Sequence, residues 1–105
     1  MSSPGDVGYT PSVTMPDYLI RHTTLRQLQV FEAIYRLGSF TRAAEELYLT
    51  QPTVSMQIRK LTDVIGLPLF EHVGRGVVAT EAGKELYDAC RRMFETLSNL
   101  EMKIA

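Results

Sequence analysis

The sequence predicts a mainly α-helical domain that carries a small β-hairpin and ends in a long helix. Apolar residues recur at helical spacing in four segments between residue 24 and the C-terminus. Two short β-prone runs, 69–73 and 77–79, flank the tripeptide Gly74-Arg75-Gly76. Two of the helical segments are short and joined by a tight turn. The predicted fold class is therefore a winged helix-turn-helix, with three helices and a two-stranded wing, followed by a long C-terminal helix.

Length and composition indicate one small domain with three parts. At 105 residues the chain can bury only a modest core, which a partner subunit would enlarge. Residues 1–22 contain three prolines and two glycines, so we expect a flexible or irregular extension. Residues 23–79 form the predicted winged domain, and residues 80–105 the long helix.

Cysteine content and hydropathy indicate the compartment. A single cysteine, Cys90, excludes an internal disulfide framework. No apolar run approaches the roughly 20 residues that a membrane span requires, and the N-terminus lacks the pattern of a secretion signal. We therefore expect a cytoplasmic protein without membrane contact.

A scaffold helix is predicted to begin near Thr24 and to stop at Gly38. Its apolar residues recur at helical spacing and are expected to cover the inner faces of the next two helices; they are Leu25, Leu28, Phe31 and Ile34. Arg26 and Arg36 are expected to be solvated, with a phosphate contact as the alternative.

The helix-turn-helix is predicted over residues 40–61, FTRAAEELYLTQPTVSMQIRKL. Ser39 and Thr50 are expected N-caps, because their hydroxyls can accept from first-turn N–H groups. Pro52 suits the first turn of the second helix. The apolar residues of that helix form one inward stripe, namely Val54, Ile58, Leu61 and Ile65.

The opposite face of the second helix is predicted to enter a DNA major groove. Gln51 and Gln57 can read base edges, and Arg59 and Lys60 can meet phosphates. Thymine methyl groups can be contacted by short or apolar side chains. The full predicted set is Gln51, Pro52, Thr53, Ser55, Met56, Gln57, Arg59 and Lys60. A merely solvated face is the alternative, and the paired helices with their caps favour DNA.

The hairpin after this helix is predicted to be a DNA-contacting wing. Two glycines around Arg75 make a tip that can approach DNA closely, and such an arginine suits a narrow, electronegative minor groove. A solvent-exposed turn is the alternative. His72 flanks the tip, but no second group has ligand spacing, so we interpret it as a surface or packing residue.

Charge is unevenly distributed along the chain, although the net charge is only −1. Residues 21–78 carry seven bases and five acids, whereas residues 1–20 carry two acids and no base. Thr41 and Arg42, at the start of the first helix of the pair, are further predicted DNA contacts. Because the excess is small, affinity should depend on dimerisation and close phosphate contacts.

The C-terminal helix has a regular apolar stripe. Its members are Leu86, Cys90, Met93, Leu97, Leu100 and Ile104. Their 3.5-residue period is typical of helices that pack along their length. We expect the same helix of a second chain to cover it, with folding back onto its own domain as the alternative. Gly83 lies inside this helix at a cost of about 1 kcal/mol relative to Ala, which suggests close packing.

The run GSFTRAAEELYLTQPTVSMQIRKLTDVIGLPLF, followed by TEAG, resembles the N-terminal DNA-binding domain of LysR-type transcriptional regulators over about residues 24–105. Within that family it is most similar to regulators of Calvin-cycle and inorganic-carbon-uptake genes. Met56 departs from the polar or basic residue that many members carry. The resemblance implies antiparallel linker helices in a two-fold dimer. It also implies a larger protein that can form a dimer of dimers and whose effector ligand binds a further domain.

We therefore predict sequence-specific binding of double-stranded, palindromic DNA by a homodimeric bacterial regulator, with carbon-fixation genes as the candidate targets. The alternative is a winged-helix module for protein–protein contact or dimerisation without specific DNA binding. An enzyme is not expected, because the sequence has no Gly-rich phosphate loop, no metal-ligand set and no identifiable base for Cys90. No cofactor is predicted.

Overall fold

The computed structural model describes residues 14–105, with side chains from residue 17 onward. The helices are α1 (Thr14–His22), α2 (Leu25–Leu37), α3 (Phe40–Leu47), α4 (Gln51–Ile65) and α5 (Glu81–Ile104). Strands β1 (Phe70–Val73) and β2 (Gly76–Ala79) lie between α4 and α5. This order confirms the predicted winged helix-turn-helix with a long C-terminal helix. No helix in this range is long and apolar enough to cross a bilayer.

Helix α1 corrects the expectation for part of the N-terminal segment. Residues 14–22 are helical rather than irregular, and Asp17 pairs with Arg21 one turn later at 3.1 Å. The rings of Tyr18 and His22 also lie one turn apart, with centroids separated by 4.4 Å. Local (i, i+4) pairs of this kind support a helix that composition alone did not indicate. The prediction for residues 1–13 lies outside the described residues.

Four helices begin at side-chain caps, and those at Ser39 and Thr50 were predicted. The Thr24, Ser39, Thr50 and Thr80 hydroxyls each accept from the backbone N–H three residues later. Gly38 ends α2 in the left-handed conformation at φ 67°, where glycine has no Cβ penalty. Side-chain caps therefore fix where α2, α3 and α4 begin, and a glycine fixes where α2 ends.

The turn between α3 and α4 is built on Tyr48. Its φ of 57° is left-handed, and its backbone N–H donates to the carbonyls of Ala44 and Glu45. Leu49 N–H also donates to the Ala44 oxygen, at 2.9 Å. The side chain of Tyr48 is 95% exposed, so this backbone conformation brings no burial in return.

The core lies between α2, α3, α4 and the base of α5. Phe31 and Ile34 of α2 are fully buried, as predicted for a scaffold helix. Three of the four residues in the predicted α4 stripe are buried, and Ile65 packs at the margin. The stripe therefore turns α4 so that its opposite face points outward.

The wing is fixed to the end of α2. Strands β1 and β2 pair in antiparallel register, with Phe70 opposite Ala79 and Val73 opposite Gly76. The Val77 N–H donates to the Gly38 oxygen at 3.0 Å. A Cβ added at Gly76 would lie 2.7 Å from that same oxygen, so only glycine allows this approach.

The base of α5 packs closely against the wing. A Cβ added at Gly83 would lie 2.3 Å from the Leu69 oxygen and 3.2 Å from the Ala79 Cβ. The expected close packing at Gly83 is therefore confirmed. Further along, the rings of Tyr35 on α2 and Tyr87 on α5 stack at 3.7 Å with an interplanar angle of 7°.

The apolar stripe of α5 divides into a covered and an uncovered half. Cys90 is 0% exposed, so its assignment to a dimer seam is wrong. The reason is that α2 and the wing cover the first half of α5. Leu86 is half-buried and packs against the core, and its assignment to the seam stays a prediction. Exposure then rises steadily towards the C-terminus, through Met93 at 38%, Leu97 at 42%, Leu100 at 50% and Ile104 at 74%. The alternative, in which α5 folds back onto its own domain, therefore applies only to the first half of α5.

Candidate nucleic-acid interface

The outward face of α4 presents the side chains that the sequence singled out. Five of the eight are exposed and three are half-buried. The exposed group is Gln51, Pro52, Met56, Arg59 and Lys60, and the half-buried group is Thr53, Ser55 and Gln57. The Gln51 amide donates to the Ser55 hydroxyl at 3.3 Å, so these two polar groups act on one face.

A polar cleft of about 240 Å³ lies between the start of the helix pair and the wing. It is lined by Ser39, Phe40, Thr41, Gln51, Ser55, His72, Arg75, Gly76 and Val77. The fold therefore brings the first turns of α3 and α4 next to the wing tip. Four predicted site residues meet there: Thr41, Gln51, Ser55 and Arg75.

Four cations near this face remain available for an external anion. Arg42, Arg59, Lys60 and Arg75 are exposed, and no carboxylate within residues 17–105 lies at ion-pairing distance from any of them. Unpaired exposed cations are the groups that neutralise phosphates when a protein binds DNA. Arg42, Arg59 and Lys60 do not line the cleft itself.

Arg36 is exposed, but it differs from the expected solvated arginine. Its Nε lies 3.0 Å from Glu32 and its Nη1 donates to Glu46 at 3.1 Å. The hydrogen bond from Arg36 lowers the pKa of the Glu46 carboxyl, and the bonds to Glu46 and Glu32 raise the pKa of Arg36. Because its charge is already compensated within the scaffold, Arg36 is not among the available cations.

Five members of the cleft were not predicted as site residues: Ser39, Phe40, His72, Gly76 and Val77. The sequence indicates Ser39 only as a cap and His72 as a surface or packing residue, and it places the other three only in the helix pair and the hairpin. The strand alternation offered a signal, because side chains two residues apart share a face, which places His72 beside Phe70. The ring of Phe40 lies 6.2 Å from Phe70 and 6.1 Å from His72, and so continues that row.

Other reactive chemistry is weak in the part of the chain that the structure describes. Burial and the nearby charge of Glu32 raise the pKa of the Cys90 thiol to about 11, so it stays protonated near neutral pH. Among the same residues, no three potential metal ligands cluster together. The outward face of α4 and the wing are thus the features with a clear binding chemistry.

The geometry defines a winged helix-turn-helix domain in which the second helix of the pair and the wing tip form one polar, cationic surface. A family model described as bacterial regulatory helix-turn-helix protein, LysR family, matches residues 25–84. The chain belongs to the LysR family, and this region is its helix-turn-helix DNA-binding domain.

Curated relatives extend this result. The chain is 56% identical over 80 residues to a RuBisCO operon transcriptional regulator of Allochromatium vinosum, covering 76% of this chain and 26% of that protein. It is 51% identical over 86 residues to the HTH-type transcriptional activator CmpR of Synechocystis sp., covering 82% of this chain and 28% of the relative. The chain thus spans about a quarter of the length of the relatives that it matches. Their names agree with the prediction of a regulator rather than an enzyme.

Solved structures show the same fold bound to DNA. A BenM DBD complex with catB site 1 DNA matches with a TM-score of 0.74 at 30% identity, covering 78% of this chain and 91% of the other. A CbnR DBD–DNA complex matches with a TM-score of 0.72 at 30% identity, covering 77% and 93%.

Proposed function

We propose that this domain binds a palindromic operator as a homodimer, and that the operator belongs to carbon-fixation genes. The observation that carries the DNA contact is the cleft, which places Gln51 and Ser55 beside the wing-tip Arg75. Base-reading and backbone-reading groups thereby share one surface, as recognition of a specific duplex requires.

Each group has a distinct role in the proposed complex. Gln51 and Ser55 face base edges in the major groove, and Met56 offers an apolar contact to a thymine methyl group. Pro52, Thr53 and Gln57 complete the helix surface that enters the groove. Arg59 and Lys60 lie a turn or more further along α4 and meet phosphates.

Two further contacts flank the groove. Thr41 and Arg42 lie in the first turn of α3 and reach the backbone beside the groove. Arg75 extends from the wing into the adjacent minor groove, where a narrow width concentrates negative potential.

Selection of bound sequences from a random duplex library, followed by salt titration on the winning site, tests this proposal. Each subunit of the dimer has four available cations. If each of them neutralises one phosphate, the slope of log K against log salt should be roughly −7, at about −0.9 per phosphate. A slope near zero would reject DNA binding and favour the module for protein contact. If the selected consensus does not occur upstream of carbon-fixation operons in the source genome, the assignment of target genes fails.

The proposed dimer rests on the uncovered half of α5. Met93, Leu97, Leu100 and Ile104 are exposed along one side of the helix. Beside them lies an open groove of about 700 Å³ between α2 and α5, lined in part by Leu25, Phe94 and Leu97. A second α5 laid antiparallel along this side would cover both. Such a two-fold pair presents two recognition helices to half-sites a helical turn or a multiple apart.

Leu97→Glu tests the seam, because an unpaired charge buried there is strongly unfavourable. We expect a folded monomer that has lost most of its affinity for a palindrome, by sedimentation and binding on the same samples. Ser98→Glu, on a neighbouring exposed face of the same helix, is the matched control and should stay dimeric. A parent that is monomeric at tens of micromolar would refute the seam.

The relatives' greater length supports the remaining parts of the proposal. We infer a cytoplasmic regulator in which α5 leads to an effector-binding domain, and in which dimers can pair into larger assemblies. Limited proteolysis and sedimentation of the full-length protein test this arrangement: a full-length protein that is monomeric, or that lacks a second folded domain, would reject it.

A further inference from the structure

We propose that the cleft between the start of α3 and the wing holds one phosphate of the DNA backbone, and that His72 contacts it as an imidazolium. Operator binding then depends on pH. This inference rests on the proposed DNA binding and adds a residue and a regulation that the sequence did not indicate.

The lining of the cleft suits a single anion. It offers the hydroxyls of Ser39 and Thr41 and the imidazole of His72, and the positive charge of Arg75 in the lining favours an anion. None of the described residues that line it is acidic. The N–H groups of Phe40 and Thr41 add to this, because the first turn of α3 leaves them without an intrahelical acceptor and the Ser39 cap takes only the Arg42 N–H. Donors from two separate elements therefore converge on one polar space.

The fold holds His72 in place at this cleft. It is paired with Val77 in the β-hairpin, and the Val77 N–H is bonded to the end of α2. Its ring lies 6.1 Å from that of Phe40, with an interplanar angle of 26°. The side chain is exposed, so its ring nitrogens remain accessible to a ligand. A rigid strand and a neighbouring aromatic ring thus position the imidazole before DNA arrives.

The charged groups around His72 determine the sign of the pH effect. Arg75, at the wing tip, also lines the cleft and keeps its charge throughout the accessible range. From α4 the cleft receives Gln51 and Ser55, which are neutral, and from α3 the hydroxyl of Thr41, with the exposed Arg42 next in sequence. Glu71 precedes His72 on β1 but points to the other face of the strand. The described residues of the lining include no carboxylate that would repel the bound phosphate.

Histidine is the side chain that ordinarily changes charge between about pH 5 and 8. The protonated ring has two N–H donors and a positive charge, and therefore binds a phosphate oxygen better than the neutral ring. Affinity for DNA should consequently rise as the pH falls from 8.5 to 6, by about tenfold for each filled cleft and so by about a hundredfold for the dimer.

The chain provides a matched control, because its two histidines are His22 and His72. Duplex binding is measured at constant ionic strength between pH 6.0 and 8.5 for the parent, His22→Gln, His72→Gln and His72→Arg. Circular dichroism confirms the fold of each variant. We expect the parent and His22→Gln to share the pH dependence. His72→Gln should bind at every pH as the parent does at pH 8.5, and His72→Arg should keep tight binding throughout.

Two further arms identify the ligand. The parent's slope of log K against log salt should be steeper at pH 6 than at pH 8.5, by about 0.9 for each filled cleft. A scan of single neutral methylphosphonates along the duplex should find one position per half-site that removes about half of the difference in binding free energy between parent and His72→Gln, and substitution at both positions should abolish it. Inorganic phosphate at matched ionic strength should not compete at millimolar concentration; if it does, the cleft is a free-anion site instead.

Equal pH dependence in the parent and in His72→Gln overturns the proposal, as does loss of the dependence in His22→Gln. In either case salt-dependent binding of the parent would still support the proposed DNA-binding role. A parent without salt-dependent binding at any pH would instead reject that role.

Discussion

Gly83→Ala sets two physical effects against each other, and the structure decides between them. Alanine is the better helix former, so propensity alone would stabilise α5 by about 1 kcal/mol. The new Cβ, however, would lie 2.3 Å from the Leu69 oxygen. Carbon–oxygen contacts in proteins are ordinarily no shorter than about 3.3 Å, so the two backbones must separate by about 1 Å.

The separation has two costs. Overpacking of this kind destabilises by about 1–3 kcal/mol. The Leu69 oxygen also accepts the Thr80 N–H at 3.1 Å, and loss of that bond adds about 0.5–1.5 kcal/mol. With the propensity gain subtracted, the central value is a loss of about 2 kcal/mol, which lowers Tm by roughly 10 °C in a domain of this size.

Thermal unfolding followed by circular dichroism measures the effect. Ser98→Ala is the control, because Ser98 is exposed on the same helix and its replacement improves propensity without a new contact. Its Tm should stay level or rise slightly. A Gly83→Ala variant as stable as the parent would refute the reasoning, since it would mean that α5 can move away from the wing at little cost.

Three further predictions concern the DNA-facing residues, all measured by duplex binding. Gln51→Ala or Ser55→Ala should each reduce discrimination between the selected and a random site by about 1–3 kcal/mol; an unchanged ratio would show that the residue does not read bases. Lys60→Ala should weaken binding to all duplexes alike and make the salt slope shallower by about one unit for each phosphate that is no longer neutralised, and weakening confined to one sequence would contradict a phosphate role. Arg75→Ala should lose most affinity on A·T-rich flanks, where the minor groove is narrow, whereas equal losses on G·C-rich flanks would indicate a plain phosphate contact.

The caps and periodicity made most of this fold predictable. Ser39 and Thr50 needed only local chemistry to be recognised, because an N-cap bond joins residues three apart. The outward face of α4 followed from its buried stripe in the same way. The prediction of DNA binding depended also on the family resemblance, because residue spacing alone left a solvated face of α4 as an alternative.

Features that depend on distant contacts were not predictable from the sequence. The coverage of Cys90 depends on how α2 and α5 pack, and a regular stripe gives no sign of where that coverage ends. His72 joins Ser39 and Thr41 only through pairing of the hairpin and its bond to Gly38. Tyr48 adopts a left-handed backbone that glycine or asparagine would ordinarily signal. The helical α1 was obscured by the surrounding prolines and glycines.

The anchoring of the wing has a mechanical consequence. One strand is bonded to the Gly38 oxygen at the end of α2, and the Thr80 N–H and hydroxyl tie the base of α5 to the Leu69 and Pro68 oxygens. The recognition helix α4 and the wing tip are therefore held in one rigid body together with the base of α5. In the proposed dimer, a change in the angle between the two α5 helices would move α4 and the wing of each subunit together. The distance between the two DNA-contacting surfaces is then set at the helix seam, and neither α4 nor the wing has to rearrange for that distance to change.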